Sequence, residues 1–186
     1  MSTKPRADAE RNRARVVEAA RTLFAERGDE VQMPEIARAA GVGVGTVYRH
    51  FPDRQALVEA AAERRFAEIE EYARANCFGE GSGLERYFRY VGELLSSDRG
   101  LTAAIDSARG RPGSEPRGAA REGLETVVAE VITHDQAAGL LRSDCTVADV
   151  YLLVGALSGV IRTGSDWVRF LDLTLSALRD QLSTEH

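Results

Sequence analysis

The chain has little cysteine and no long apolar run. Its 186 residues include two cysteines, Cys77 and Cys145, whose spacing is typical of neither a metal site nor a disulfide framework. We therefore expect a reducing compartment, with a regulatory disulfide between the two as the open alternative. The longest apolar run, Val150–Val160, is far shorter than the ~20 residues that span a bilayer. The polar N-terminus has no apolar core typical of a secretory signal, so we expect a cytoplasmic protein without a membrane segment.

Motifs of common catalytic and cofactor sites are also absent. The chain contains no His-Glu-X-X-His and no Gly-X-Ser-X-Gly, the signatures of zinc proteases and of α/β-hydrolases. Its three histidines, His50, His134 and His186, lie far apart in the sequence. The glycine-rich stretch Cys77–Gly83 follows no strand pattern and lacks the Gly-Lys-Ser/Thr of a phosphate-binding loop. We therefore expect no catalytic residues, no metal and no cofactor.

Apolar residues make up 44% of the chain, which is enough for a globular core. They recur at helical spacing and show no alternating β pattern, so the sequence predicts an all-α fold of about nine helices. Residues 1–9 are expected to form a mobile arm, and residues 109–116 a loop. Thr146 and Ser165 are the expected N-caps of the last two helices. The predicted helices are 9–27, 33–40, 44–51, 54–76, 84–96, 99–108, 117–138, 146–162 and 166–182.

Positive charge is concentrated at the N-terminus. The net charge of the whole chain is −5, whereas residues 1–54 carry 10 basic and 8 acidic residues, a net charge of +2. The remaining residues therefore have a net charge of −7. Such an imbalance is typical of a phosphate-binding end on an acidic body.

The segment Met33–Phe51 has the pattern of a short helix, a glycine turn and a second short helix. Gly41–Gly43 interrupts the first helix, because glycine tolerates the positive φ of a tight helix exit. In the second helix Val47 and Phe51 are four residues apart and are expected to point inward together. Two helices joined in this way form a helix-turn-helix, whose second helix enters the major groove of DNA.

The residues Ile36–Val58, IARAAGVGVGTVYRHFPDRQALV, closely resemble the signature of TetR-family transcriptional regulators. The resemblance is strong over roughly the first third of the chain. It implies a helix-turn-helix DNA-binding domain with an N-terminal arm over residues 1–53. It further implies a helical regulatory and dimerisation domain, a helical bundle that binds a ligand, over residues 54–186. A protein of this family is expected to bind a palindromic operator as a homodimer, usually as a repressor, and to be released by a small-molecule effector.

The outward side of the second short helix holds the candidates for DNA contact. Val44, Thr46 and Arg49 are the candidates for contact with base edges, and Gly45 lets the backbone approach closely. The resemblance implies phosphate contacts for Tyr48 and His50. Arginines near the start of the first helix oppose its macrodipole, which a nearby phosphate backbone would justify; a solvated charged face is the alternative. The predicted DNA-contacting residues are Gln32, Val44, Gly45, Thr46, Tyr48, Arg49, His50, Arg54, Arg11 and Arg13.

Gln32 departs from the family pattern, because Ser, Thr or Asp usually occupies that position. Glutamine is a poor N-cap. The sequence therefore predicts either a loosely formed start of the helix at Met33 or a contact of Gln32 with DNA.

The last two predicted helices are candidates for the dimer interface. The first of them is apolar nearly all round, which indicates burial on more than one side. A two-fold interface is self-complementary, so one face of the pair could pack against a copy of itself. The predicted interface residues are Val150, Val154, Leu157, Ile161, Phe170, Thr174 and Leu178.

Aromatic and polar residues of the C-terminal part are candidates for an effector pocket. For each aromatic residue, plain core packing is the alternative, and His134 is as easily a surface residue. The candidate ligand-binding residues are Tyr87, Phe88, Arg109, His134, Tyr151 and Trp167. A different class of protein also stays open: a helical interaction module that binds no specific DNA.

Overall fold

The computed structural model describes residues 4–110 and 115–179, with the side chains of residues 4–6 and 29 left out. Within these ranges the chain forms nine α-helices and no strand, which confirms the predicted all-α fold. No helix in the described ranges is long and apolar enough to cross a membrane. The helices are α1 (Lys4–Arg27), α2 (Met33–Ala40), α3 (Val44–His50), α4 (Arg54–Asn76), α5 (Gly83–Ser97), α6 (Arg99–Arg109), α7 (Gly118–Ala137), α8 (Val147–Arg162) and α9 (Trp167–Leu178).

Several helix ends differ from the prediction. Helix α1 begins at Lys4, so the part of the expected mobile arm from residue 4 onward is helical, and residues 1–3 lie outside the described ranges. Asp166, not Ser165, is the N-cap of α9, because its side chain accepts a hydrogen bond from the Arg169 backbone N–H at 2.9 Å. Helix α9 also ends at Leu178 rather than at residue 182, since Arg179 is extended. Residues 111–114 of the expected loop lie outside the described ranges.

The first of two compact units comprises residues up to 64 and residues 98–114. Its core contains Val16 and Phe24 of α1, Ile36 of α2 and Val47 of α3, none of which is exposed. Helix α6 packs against α1 so closely that a Cβ atom on Gly100 would lie 2.1 Å from the Phe24 carbonyl oxygen. The division differs from the predicted boundary between residues 53 and 54, because α6 and the first turns of α4 belong to this unit.

The second compact unit comprises residues 65–97 and 115–186. Helix α5 packs against α7, α8 and α9, and its Leu84 and Phe88 are buried together with Leu157 of α8 and Leu171 of α9. These apolar side chains form the core of a helical bundle.

A buried carboxylate joins α7 to the start of α5. Asp135 is not exposed at all. It accepts hydrogen bonds from the Ser82 hydroxyl at 2.8 Å and from the backbone N–H groups of Gly83 and Leu84 at 3.0 and 2.9 Å. Two of the otherwise unsatisfied donors at the start of α5 are therefore paired by one side chain.

Candidate nucleic-acid interface

A tight glycine turn sets the position of α3 relative to α2. Gly41 ends α2 in the left-handed conformation, with φ of 62° and ψ of 37°, a conformation that favours glycine. The Val42 N–H donates to the Ala37 carbonyl at 3.0 Å, and the Gly41 N–H donates to the Arg38 carbonyl at 3.1 Å. These bonds satisfy carbonyl groups at the end of α2. Because the turn is so short, α3 begins at Val44, four residues after α2 ends.

Helix α3 has one buried side and one exposed side. Val47 is fully buried and Phe51, just after the helix, is 2% exposed, so the predicted inward pair is confirmed. On the opposite side Val44 is 45% exposed and Tyr48 is 48% exposed, and Arg49 is exposed as well. A short helix that is held from behind and exposes such side chains is suited to enter a groove.

Arginines of α1 lie beside the turn and the end of α3. The Arg13 guanidinium carbon lies 5.3 Å from the centroid of the Phe51 ring, a cation–π distance. Arg15 Nη2 donates to the Gly41 carbonyl oxygen at 3.4 Å. Arg11 pairs with Asp8 on the same helix. All three arginines are exposed, so the structure leaves the predicted Arg11 and Arg13 accessible to phosphate.

The start of α2 is well formed, which corrects the predicted loose start at Gln32. Glu35 supplies the missing cap, because it accepts the Gln32 backbone N–H at 2.9 Å. The same carboxylate accepts two hydrogen bonds from Arg27, at 2.9 and 3.3 Å. These bonds from Arg27 and Gln32 hold the pKa of Glu35 below its usual value. The Gln32 side chain is exposed, so its predicted contact with DNA stays a prediction.

Arg54, predicted to contact DNA, has partners within the first unit. Its side chain is half-buried, its guanidinium carbon lies 4.9 Å from the Phe24 ring centroid, and it donates to the Gly28 carbonyl at 3.4 Å. Arg54 therefore contributes to the fold of the first unit. His50 is half-buried, and its Nε2 is shielded from solvent with no hydrogen-bond partner among residues 4–110 and 115–179.

Two family models match this chain. The model described as "Bacterial regulatory proteins, tetR family" matches residues 16–61. The model described as "Transcriptional regulator SbtR-like, C-terminal domain" matches residues 81–180, more than half of the chain. The chain belongs to the TetR family.

Known relatives agree with this assignment. A TetR transcription regulatory protein of Mycobacterium vanbaalenii is 37% identical, with coverage of 94% of this chain and 98% of that chain and a TM-score of 0.66. A TetR transcriptional regulator of Streptomyces coelicolor is 28% identical, with coverage of 91% and 99% and a TM-score of 0.66. An HTH-type transcriptional regulator of Staphylococcus aureus is 45% identical over 60 residues, which is 32% of this chain and 32% of that protein. The match therefore spans about a third of the length of the curated relatives. The resemblance inferred from residues 36–58 is confirmed.

In this TetR-family chain, several predicted ligand-binding residues have structural partners. Tyr87 and Phe88 are buried in the second unit and contact each other edge-on, with ring centroids 5.9 Å apart. Burial raises the pKa of the Tyr87 hydroxyl. Arg109 lies in the first unit, and its Nη2 is 2.7 Å from a carboxylate oxygen of Glu59. These three residues are thus engaged in packing or ion pairing.

The remaining predicted ligand-binding residues lie in the second unit. His134 contacts Asp135, with 3.2 Å between Nδ1 and Oδ1. The Trp167 ring lies against Gly92, where a Cβ atom would be 2.4 Å from ring atom Cζ3. Tyr151 lines a cleft between the start of α7 and α8.

The predicted dimer-interface residues divide into two groups. Val150, Leu157 and Ile161 are at most 2% exposed and belong to the core of a single chain, which contradicts their placement at the interface. The other predicted residues, Val154, Phe170, Thr174 and Leu178, are half-buried. Sequence reasoning missed the apolar residues that are exposed on α8 and α9, which are Leu152 at 71%, Leu173 at 55% and Val168 at 43%. Periodicity places residues on common faces of α8, but it does not say which face meets the core.

Proposed function

We propose that this TetR-family protein binds a palindromic operator as a homodimer and represses transcription until a small-molecule effector releases it. The observation that supports DNA binding most directly is the two-sided character of α3, which buries Val47 and exposes Val44, Tyr48 and Arg49. Thr46, half-buried at the same surface, and Arg49 offer a methyl or hydroxyl group and a bidentate donor to base edges. We expect Tyr48 and His50, with Arg11 and Arg13 from α1, to contact phosphates, which orient the protein without reading sequence.

The dimer is proposed from the size of the reading surface and from the exposed apolar side chains of the second unit. One seven-residue helix, α3, contacts few base pairs, so a regulator of this kind reads two half-sites with two copies. Leu152 and the small Gly155 and Ala156 of α8 are exposed together. A second copy that packs on this face and on Val168 and Leu173 of α9 would remove apolar surface from water.

Repression, effector release and the absence of catalysis are proposed from the family. A dimer on a promoter excludes polymerase, and an effector that favours one arrangement of the protein shifts the population away from the DNA-bound form. Because the matching family model describes bacterial regulatory proteins and bacterial chromosomal DNA lies in the cytoplasm, we propose a cytoplasmic protein.

Salt dependence separates this function from that of a helical interaction module. We expect the affinity for duplex DNA to fall steeply as salt rises, because each phosphate contact releases counterions. Arg13→Ala should weaken binding and reduce the slope by roughly one charge. The matched control is Arg142→Ala, since Arg142 is an exposed arginine of the second unit that pairs with Asp144. A flat salt response, or equal losses from the two variants, would favour the interaction module.

The dimer face is tested separately by sedimentation. Leu152→Glu places a charge on the exposed side of α8 and should convert dimers to monomers, whereas Thr133→Glu on the exposed side of α7 should leave the dimer intact. An unchanged dimer in Leu152→Glu would place the interface elsewhere.

A further inference from the structure

Val44 is an apolar side chain that α3 exposes on the side opposite to its buried Val47. It is 45% exposed, whereas Val47 is fully buried. Single apolar side chains are common on protein surfaces and need no explanation by themselves. The position of Val44 is informative because it lies four residues before the exposed Tyr48, and residues four apart share one side of a helix. Val44 therefore lies on the side of α3 that is proposed to enter the major groove.

The residues on both sides of Val44 are glycines. Gly43 and Gly45 are exposed, and a Cβ atom on either would meet nothing within 4 Å beyond its chain neighbours. Neither glycine has a side chain that could hold a base edge away from the two methyl groups of Val44. Valine is branched at Cβ and has few rotamers, so little conformational entropy is lost when these methyl groups form a contact.

The Val44 side chain has no atom that donates or accepts a hydrogen bond. In the major groove the base edges present donors and acceptors, and the apolar group among them is the C5-methyl group of thymine. A valine against polar base atoms would remove them from water without giving them a partner, which is unfavourable. A valine against the thymine methyl group buries apolar surface instead. A contact with Val44 thus favours a methylated base and disfavours the others, and such a difference produces specificity.

We infer that Val44 selects, in each half-site, one pyrimidine that carries a methyl group on C5. The inference rests on the proposed function, because it assigns a base to the reading surface of α3. Thymine and 5-methylcytosine carry the same methyl group on the same ring atom, so the recognised chemistry is that of a 5-methylpyrimidine. The hydrogen-bonding residues Thr46 and Arg49 are left to read polar base edges.

Removal of methyl groups from the DNA tests the inference on the full chain. The probe is the duplex that wild-type protein enriches most from a randomised library, re-synthesised with deoxyuridine in place of thymidine at one position at a time. Deoxyuridine keeps the pairing and the polar groups of thymidine and lacks only the methyl group. We expect one position in each half-site at which this replacement weakens binding about fourfold, and about fifteenfold when both half-sites are changed, in line with one buried methyl group per contact.

Two variants show whether Val44 is responsible. Val44→Ala should remove the difference between thymidine and deoxyuridine at that position, because it deletes both methyl groups of the valine. The matched control is Val44→Ile, which keeps a branched apolar side chain and should retain the difference. Deoxyuridine also changes the flexibility of the duplex, but this effect is common to all three proteins and cancels in the comparison. Thermal unfolding of each variant verifies that it is folded.

Cytosine and 5-methylcytosine at the same position separate the two sources of the methyl group. We expect 5-methylcytosine to bind about fourfold more tightly than cytosine with the wild type, and equally with Val44→Ala. Thymine is the natural source if the enriched duplex already contains it there. If that duplex contains cytosine and gains affinity on methylation, the natural source is 5-methylcytosine. No gain from 5-methylcytosine would overturn the inference, because the preference would then depend on the polar groups of thymine.

Three further results would overturn the inference. No position responds to removal of the methyl group, Val44→Ala keeps the full response at every position, or Val44→Ala weakens methylated and unmethylated duplexes equally. Deoxyuridine duplexes retain every phosphate, so salt-dependent binding to them still tests the proposed function. If that binding is retained while no position responds, only the assignment of Val44 falls. If wild-type protein enriches no duplex, the proposed function falls together with the inference.

Discussion

Replacing Asp135 with asparagine should destabilise the second unit by an amount that its hydrogen bonds set. One carboxylate oxygen accepts the Gly83 N–H at 3.0 Å, and the other accepts the Leu84 N–H at 2.9 Å and the Ser82 hydroxyl at 2.8 Å. Asparagine has only one such oxygen, so either orientation of its amide turns an NH₂ group toward a backbone N–H. One buried donor then costs about 1–3 kcal/mol, and the loss of charge on the remaining bonds costs about 1 kcal/mol more.

The expected loss for Asp135→Asn is therefore about 2–4 kcal/mol in the free energy of unfolding, measured by urea titration and circular dichroism at fixed protein concentration. This corresponds to a fall in Tm of roughly 5–15 °C for a chain of this size. The matched control is Asp144→Asn, because Asp144 pairs with Arg142 at an exposed site and should contribute less than about 1 kcal/mol. Equal effects of the two variants, or a loss below about 0.5 kcal/mol for Asp135→Asn, would refute this reasoning.

Three further variants address the first unit. Gly100→Ala should lower the free energy of unfolding by about 1–3 kcal/mol, because the new Cβ would lie 2.1 Å from the Phe24 carbonyl oxygen. This loss should exceed the gain from alanine's better helix propensity. An unchanged Tm would contradict the close packing of α6 on α1. Gly45→Ala should leave the free energy of unfolding unchanged or raise it by up to about 1 kcal/mol, because a Cβ at this position meets nothing within 4 Å. Mobility-shift assays should show weaker DNA binding. Unchanged DNA affinity would mean that the backbone at Gly45 does not approach the groove. Arg109→Met should cost about 1–3 kcal/mol, since it removes the two hydrogen bonds that Arg109 donates to the Glu59 carboxylate, at 2.9 and 2.7 Å. Adding Glu59→Gln should recover part of that loss in the same unfolding assay.

Local sequence patterns were sufficient to predict the helix-turn-helix formed by α2 and α3. Glycine at Gly41 and the four-residue spacing of Val47 and Phe51 are short-range features, so they determine the turn and the buried side of α3 without knowledge of distant residues. The same reasoning misses the Glu35 cap, because the N-cap preference of Gln32 concerns only its own side chain. The carboxylate three residues later forms the hydrogen bond instead.

Long-range contacts account for what the sequence did not reveal. The packing of α6 on α1 joins residues such as Gly100 and Phe24 that are far apart in the chain, and periodicity contains no information about such pairs. Asp135 gave no signal either, because its partners at Gly83 and Leu84 lie more than fifty residues away. Helix α8 is apolar nearly all round, so the sequence could not tell its core side, with Val150, from its exposed side.

The central claim is that two copies of α3 read a symmetric DNA sequence. Selecting bound fragments from a randomised DNA library, first with the wild-type protein and then with Arg49→Ala, tests it most directly. We predict an inverted repeat with the wild type, and loss of preference at one position in each half-site with Arg49→Ala, while Tyr48→Phe weakens binding without changing the recovered motif. Recovery of no enriched motif, or of a motif that Arg49→Ala leaves unchanged, would contradict this account.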